Sequence, residues 1–429
     1  MSLRSELARA LDAARAKTLR LSGGLGEAEL RRQYDPLFSP IGWHVGHVAW
    51  QEECWALRRA GGEPPIDASL DDLFDSFESK KHQRGGRLAT PVELFAYAEC
   101  VRERTLALLQ RADLDAEDEL LGAGYVFRFL ANHERQHAEI IGVVRTLGEL
   151  YLQPAPPPTQ PRSAERDFIP LAGGRFAMGG DGDPDSWDNE RPAREVTLVD
   201  YRIMRRPVEN AAWLEFMRAG GYEDDRLWTP KGAKWKHERA VRAPLFWQRA
   251  GDGWQRRSLG GVRPVEPERA VCHVSWHEAQ AFARFAGARL PSEAEWEHAA
   301  SWDAVRGRKN RWPWGDVPGA SANLGLATLD ATLPGEVGEG TAASGVEDMA
   351  GGVWEWTADV FEPYPGFSSQ PYRGYSQPWF DGRHRVARGG SFLTQPEIAR
   401  SCFRNFYLPE IRQVPLGLRL AQSGAGSGS

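Results

Sequence analysis

An α-helical bundle followed by a loop-rich α+β domain is the fold class that this sequence predicts, and three observations carry the prediction. Residues 1–150 hold long stretches in which apolar side chains recur at helical spacing. Residues 151–166, Tyr151 to Arg166 with Pro154, Pro156, Pro157, Pro158 and Pro161, read as a stiff, extended linker. Residues 167–422 then break into short apolar pieces separated by Gly, Pro, Asp and Trp, the texture of a domain built largely from loops. The Gly- and Ser-rich end, residues 423–429, reads as a flexible tail.

The whole-chain numbers agree and exclude several classes. A chain of 429 residues is long enough for two or three domains at roughly 100–200 residues each. Hydrophobic residues make up 41% and charged residues 26%, the balance of a globular protein rather than a disordered one. With a formal net charge of −6 and no long basic run, nucleic acid is excluded as the expected partner. No stretch reaches the ~18 apolar residues of a membrane span, and the first residues lack the apolar core of a leader, so a cytoplasmic protein without a membrane partner is expected. Cys54, Cys100, Cys272 and Cys402 are widely spaced with no CxxC, which points to neither a disulfide framework nor a zinc knuckle. The 17 Trp either pack cores or line a site for a flat or cationic ligand.

Taken in order, residues 3–21 form an amphipathic helix through Leu3, Leu7, Leu11, Ala14 and Leu19. A second helix starts beyond Ser39-Pro40, with proline near its first turn. Trp43, His47, Trp50 and Cys54 share one of its faces; His44 lies about 60° or less from that face, so geometry leaves it open as well. Residues 65–90 are polar around Lys80-Lys81-His82-Gln83-Arg84-Gly85-Gly86-Arg87 and read as a loop, either solvated or, beside a pocket, able to hold an anion. A third helix runs from Pro91 to about Ala112, and a fourth from about Gly122 to Leu150. In the second domain only Pro207–Ala219 and Trp276–Gly287 read as helices, and the strands are too short to place.

The fourth helix carries the chemistry. His133 and His137 lie one turn apart, on the face that also holds Phe129, Leu130, Ile140, Ile141 and Val144. Imidazoles directed into a core need hydrogen-bond partners or a metal ion. With His47 from the second helix they make three neutral nitrogen donors on facing helices, which is what a bundle-core metal site requires. Imidazole suits Fe, Zn, Cu and Ni alike, so these residues do not choose the metal. His133-Glu134-Arg135-Gln136-His137 also matches H-E-x-x-H, which offers a zinc peptidase with Glu134 as general base as a rival, although no further histidine follows until His237. A bundle joined to a lectin-like binding module, without catalysis, is a third reading.

Further motifs carry a resemblance over nearly the whole chain. Ser39-Pro40-x-x-Trp43-His44-x-Gly46-His47 and His133-x-x-x-His137-x-Glu139 resemble a DinB-like four-helix bundle. Phe176-Ala-Met178-Gly179, Asp188-Asn189-Glu190-x-Pro192, His273-Val-Ser-Trp276-His-Glu278, Arg289-Leu-Pro291-Ser-Glu293-Ala-Glu295-Trp296-Glu297, Gly352-Val-Trp354-Glu355-Trp356, Arg388-Gly389-Gly390-Ser391-Phe392 and Gly417-Leu-Arg419 resemble a C-type-lectin-like, formylglycine-generating-enzyme (sulfatase-modifying factor) domain. Together they resemble the non-heme iron sulfoxide synthases of ergothioneine biosynthesis and their selenoneine synthase relatives.

That resemblance implies Fe(2+) on His47, His133 and His137. It implies O2, hercynine (Nα-trimethylhistidine) and a chalcogen donor as substrates, the product being a carbon–sulfur or carbon–selenium bond with an oxidised chalcogen. Gln136 matches a residue that holds the substrate imidazole, Tyr364 matches a tyrosine of the same pocket, and Asn405 matches one near the trimethylammonium group, with Phe406 as a ring face beside it. Two departures stand out: Phe361 replaces the family's catalytic tyrosine, and Phe406-Tyr407 replaces Trp-Asp. Phenylalanine passes no proton, so Tyr407, another tyrosine such as Tyr364, or water serves as the acid. Formylglycine-generating chemistry needs a cysteine pair, of which only Cys402 is present, with Tyr407 in place of the second. Glu355 and its neighbouring loops are a place for a structural Ca(2+). For the donor, Phe406-Tyr407 and the segment Asp75–His82 resemble the selenoneine branch and imply a selenosugar. A thiol such as γ-glutamylcysteine or cysteine, its carboxylates held by Arg84 and Arg87, is the alternative.

Overall fold

The computed structural model describes residues 2–153, 167–317, 322–334 and 340–424, so most of the proline-rich stretch, 154–166, lies outside the described residues. The chain divides into two compact units, Met1–Leu150 and Tyr151–Ser429. Among the described residues no helix is long and apolar enough to cross a membrane.

The first unit is helical: α1 Leu3–Ser22, α2 Glu27–Arg31, α3 Ile41–Glu52, α4 Asp71–Phe74, α5 Lys81–Arg87, α6 Pro91–Arg111 and α7 Tyr125–Leu147. Helix α3 continues as a π-helical stretch over Glu53–Ala60, in which Gly61 N–H reaches the Ala56 carbonyl at 2.8 Å. Local chemistry sets the ends. Ser2 caps α1 through the Ser5 N–H, and Thr90 with Glu93 closes a reciprocal capping box on α6, with Pro91 in the first turn. Helix α7 packs chiefly on α1 and α3, and α3 on α6. Leu7, Leu11 and Ala14 of α1 and Val126, Phe127 and Ile141 of α7 are buried in that core. The segment expected to be a loop, 65–90, instead contains α4 and α5. Its Gly-Gly and run of charge hide a helix whose seat is tertiary: a Cβ at Gly85 would meet the Arg31 carbonyl oxygen at 2.0 Å.

Inside the bundle lies a buried network of four charges. Arg15 binds Glu52 at 2.9 Å and Glu134 at 2.7 Å, and Arg102 binds both carboxylates at 2.8 Å. Two positive and two negative groups balance, and each charge is hydrogen-bonded, which is the condition for burying ions. Burial alone would raise the Glu52 carboxyl, but the Arg102 guanidinium holds it below the ordinary carboxylate range.

The second unit carries α8 Asn210–Arg218, α9 Pro230–Glu238, α10 Trp276–Phe285 and α11 Glu293–Ser301 around short strands. These are β1 Phe168–Leu171, β2 Gly174–Met178, β3 Arg194–Leu198, β4 Tyr201–Met204, β5 Trp247–Ala250, β6 Gly253–Ser258, β7 Gly261–Pro264, β8 Trp302–Asp303, β9 Arg308–Lys309, β10 Trp354–Val360, β11 Arg385–Arg388, β12 Asn405–Tyr407, β13 Leu416–Gly417 and β14 Ala421–Ser423. Helices α9 and α11 go beyond the two expected from sequence; both are short, and α11 is buried along most of its length with its glutamates turned into ion pairs, so polar and apolar faces do not alternate to mark its period. The order β12-β11-β10-β13 defines the largest sheet, with β12 at an edge and β13 parallel to β10. Strand β14 pairs with β4 out to Ser423↔Tyr201, and Gly424 N–H donates to the Asp200 carbonyl at 2.9 Å, which corrects the tail expected from 423; residues 425–429 are outside the described residues.

Four of the acidic residues in the second-domain motifs prove to be members of buried ion pairs. Glu190 binds Arg400 at 2.6 Å, Glu293 binds Arg404 at 2.7 Å, Glu355 binds Arg419 at 2.6 Å, and Glu297 pairs with Arg388. A loop-rich core has few regular backbone ladders, and these guanidinium forks also take backbone carbonyls, as when Arg388 Nη1 donates to the carbonyls of Cys402 and Phe403 at 2.7 Å. Trp296, Trp354 and Trp356 fill the space between them and are almost wholly buried, so these tryptophans are packing residues.

Candidate metal centre

Helices α3 and α7 bring three of the predicted histidines together. One ring nitrogen from each of His47, His133 and His137 lies within 4.8 Å of the others. The ring centroids are 4.5 Å apart for His133 and His137, 4.7 Å for His47 and His137, and 5.3 Å for His47 and His133. The i, i+4 spacing on α7 supplies the first pair, and α3 supplies the third ring across the core.

Each ring is held differently. His47 Nδ1 lies 2.6 Å from the Phe74 carbonyl, to which it donates, leaving the lone pair on Nε2. That contact needs Gly46, because a Cβ there would stand 2.1 Å from Phe74 Cζ. Trp43 stacks on the His47 ring at 4.5 Å and 15°. His137 Nδ1 is 2.9 Å from Nδ1 of His44. His133 Nδ1 is buried with no hydrogen-bond partner among the described residues. Burial lowers all these imidazoles, His47 to about 4 and the others well below the usual value, so every ring is neutral near pH 7. Three converging neutral imidazoles in a largely buried site, one ring with an unsatisfied nitrogen, fit a divalent metal ion.

Glu134 corrects the peptidase alternative. Its Oε1 accepts from Arg15 and its Oε2 from Arg102, at 2.7 and 2.8 Å, and the side chain is sealed in the bundle. A carboxylate committed to two guanidinium groups has no lone pair positioned to activate a water at the histidines. Arg84 is also corrected as a ligand for substrate carboxylates. It is 2% exposed, bonded to the Ser39 and Ser79 hydroxyls at 2.6 and 3.0 Å and to the Ser76 and Ser79 carbonyls at 2.9 Å, and stacked 3.8 Å over Trp43. Arg87 is exposed, and Gln136 is half-buried on α7.

In the second unit Phe361 and Phe406 stack at 4.0 Å and 17°, Phe361 being fully buried. Phe380 stands 4.8 Å from Phe361, and Trp379 stands 6.2 Å from Phe406. Sequence reasoning missed these last two rings; the only local signal is a Trp-Phe pair in the otherwise polar stretch Gln377–Asp381. Asn405 Nδ2 donates to the Tyr407 hydroxyl at 2.8 Å on edge strand β12. Tyr364 packs with Phe176 and Met178, and its phenol oxygen has no partner among the described residues. Burial holds that phenol well above its ordinary value, so it stays protonated. Arg404 lies over both the Phe361 and Tyr364 rings, at 4.8 and 4.1 Å.

Glu355 is corrected as a calcium ligand. Its oxygens accept from Trp296 Nε1 at 2.7 Å and from Arg419 at 2.6 and 2.7 Å, so its charge is already compensated. Cys402 Sγ is 3.1 Å from Glu190 and 3.2 Å from Arg400, with its thiol pushed up by burial, and all four cysteines are free. An inert buried thiol without a partner cysteine agrees with the exclusion of formylglycine-generating chemistry.

Comparison with known proteins follows the same division. Residues 10–141 match the DinB superfamily, and residues 153–424 match the sulfatase-modifying factor enzyme 1-like domain. Hercynine oxygenase of Mycolicibacterium thermoresistibile is 40% identical, over 97% of this chain and 95% of its own. Hercynine oxygenase of Mycobacterium tuberculosis is 40% identical over 98% of this chain and 99% of its own. A formylglycine-generating enzyme of Streptomyces coelicolor is 33% identical over 62% of this chain and 91% of its own. Bundle, loop-rich domain and full-length likeness define an enzyme of the oxygenase class. The chain belongs to the hercynine oxygenase family.

Proposed function

We propose that this enzyme is an iron- and O2-dependent oxygenase that joins an imidazole carbon of hercynine to the chalcogen of a second small molecule and leaves that chalcogen oxidised. The observation that carries the reading is the convergence of three neutral imidazoles to within 4.8 Å, in a chain 40% identical to hercynine oxygenases over nearly its whole length. Iron held by one nitrogen each of His47, His133 and His137 would supply the redox capacity and the open positions at which O2 and a thiolate or selenolate react.

The chain's own side chains do the rest. His47 keeps its Nε2 lone pair available because the Phe74 carbonyl accepts a hydrogen bond from Nδ1–H and so holds the proton on that nitrogen. Gln136, one residue before His137 on α7, has an amide suited to hydrogen-bonding an imidazole. In the second unit, Asn405, Phe406 and Trp379 offer the ring faces and amide oxygen that a trimethylammonium group needs, since it has no N–H to donate; Phe361, fully buried between Phe406 and Arg404, backs that aromatic group and does not face the substrate, which corrects its expected contact. Tyr364 and Tyr407 are the phenols proposed to hold or pass a proton where Phe361 cannot; burial keeps Tyr364 protonated, and Asn405 orients Tyr407.

For the donor we favour a selenosugar. Its support is that the buried cation of the basic segment, Arg84, is committed to internal partners, while Lys81 Nζ donates to the Leu37 carbonyl at 2.7 Å. A hydroxyl-rich donor makes no demand for a fixed cation. The reading with γ-glutamylcysteine or cysteine is supported by the identity to hercynine oxygenases. The test is incubation of iron-loaded protein with hercynine, O2 and, separately, selenoglucose, cysteine and γ-glutamylcysteine, with product masses read out. A selenium-containing hercynine adduct is expected; a sulfur adduct alone would reverse the donor, and no consumption of hercynine with any donor would overturn the function.

A further inference from the structure

His44 stands outside the proposed ligand set, yet it is 4% exposed and its Nδ1 lies 2.9 Å from Nδ1 of His137. Two imidazole nitrogens at that distance share one proton, so one donates and the other accepts. Were His44 the donor, His137 would accept at Nδ1 and carry its proton on Nε2, leaving no lone pair for a metal. With His137 as donor, its Nε2 lone pair is released and His44 becomes the Nε2–H tautomer, whose Nε2 is buried without a hydrogen-bond partner among the described residues. The seat of His44 is rigid. Its ring meets Trp43 edge-on at 5.3 Å and 81°, and Trp43 is itself pinned by its N–H to the Leu73 carbonyl at 2.8 Å and by Arg84 stacked at 3.8 Å. Helix α3 thus carries one ligand ring, His47, and three residues earlier a fixed acceptor for a ligand ring of α7.

We infer that His44 is a positioning residue for the metal centre: it accepts the Nδ1 proton of His137, sets that ring's tautomer and angle, and so raises the affinity of the site for a divalent metal. The inference rests on the three-histidine reading. Groups that orient a ligating histidine typically change metal affinity 10–100-fold when removed, without abolishing the site. His133, whose Nδ1 has no such partner among the described residues, shows that the support is specific to two of the three rings.

The experiment is an optical titration of the full-length apo-protein with Co(II), together with its apo melting temperature, for wild type, His44→Phe, His44→Asn and His137→Ala. Phenylalanine keeps the packing and removes the acceptor, so affinity is expected to fall about 10–100-fold while one ion still binds at saturation and the apo melting temperature holds. Asparagine places an oxygen near the position of Nδ1 and is expected to restore affinity to within about threefold of wild type. His137→Ala should lose stoichiometric binding. Wild-type affinity in His44→Phe, or His44→Asn as weak as His44→Phe, would overturn the inference while leaving the three-histidine site standing. If His44→Phe does not fold, His44→Gln takes its place: its amide reaches toward Nε2 rather than Nδ1, and affinity equal to that of His44→Asn would overturn the inference. A wild-type protein that binds neither Co(II) nor Fe(II) fails the three-histidine reading itself, and the role of His44 with it.

Discussion

Replacing Glu134 by Gln separates a structural carboxylate from a catalytic one at the residue that follows His133. In the bundle, Glu134 accepts from Arg15 at 2.7 Å and from Arg102 at 2.8 Å, and the side chains of these three residues are 3%, 9% and 8% exposed. The amide keeps the shape and removes the charge, so Arg15 and Arg102 are left with Glu52 alone and one positive charge is buried without compensation. Removing one partner of a buried pair costs about 3–5 kcal/mol. For a unit of the size of the bundle, Met1–Leu150, each kcal/mol shifts the melting point by about 2–4 °C, so the bundle transition should fall by roughly 6–20 °C. Calorimetry of the apo-protein reads this directly, and Co(II) binding at a temperature where the variant is folded should remain near stoichiometric. A variant that melts within about 2 °C of wild type but loses all turnover would refute the reasoning and return Glu134 to the role of a general base.

Four further outcomes are expected. His47→Ala, His133→Ala and His137→Ala should each lose most bound iron by metal analysis, whereas His44→Ala should retain it at saturating metal; full retention by all three would sink the ligand assignment. Histidine in place of hercynine presents a hydrated ammonium to the aromatic rings and loses a cation–π contribution of roughly 1–2 kcal/mol, so kcat/KM should fall by about an order of magnitude or more; equal turnover would contradict a trimethylammonium site at Asn405 and Phe406. Arg87→Ala, which removes the exposed cation and leaves Arg84 in its internal role, should leave selenosugar turnover within about tenfold, whereas a carboxylate-bearing donor that used Arg87 would lose ~1.5–3 kcal/mol of binding. Burial pushes the Asp348 carboxyl up to about 7 from an ordinary 3.8, against the pull of Arg206 and Arg419. A raised folded value means that its contribution is present below pH 3.8 and lost as pH rises through 7, so Asp348→Asn should gain stability over wild type across that window, on the order of 2–4 kcal/mol at pH 8. Asparagine also tolerates the φ of 54° at this position; a difference that does not change with pH would refute the assignment.

Much of the fold was legible from sequence because its signals are local. The periodicity of α1, α3, α6 and α7, the proline near the start of α3, and the Thr90, Pro91 and Glu93 cap of α6 depend on neighbours within a turn. The histidine trio was legible for the same reason, since two of its members are one turn apart and His47 shares its helix face with Trp43 and Trp50. Short elements whose charged residues are buried, such as α11, and helices seated by distant contacts, such as α5, were not.

By itself the sequence determined where the long helices α1, α3, α6 and α7 form, which of their faces are apolar, and that three imidazoles stand on facing helices, because a helix converts residue spacing directly into direction. Only the tertiary structure decided what each polar group does, because that depends on partners far away in the chain. Glu134 looks like a general base until Arg15, 119 residues distant, and Arg102 take its oxygens. Arg84 looks like a solvated loop cation until Ser39, 45 residues away, and Trp43 enclose it. Glu355 looks like a calcium ligand until Arg419, 64 residues on, neutralises it. His44 differs from His47 in what its Nδ1 meets, another imidazole rather than a backbone carbonyl, and in standing outside the three-ring cluster, a distinction of position in space that no spacing along one helix encodes.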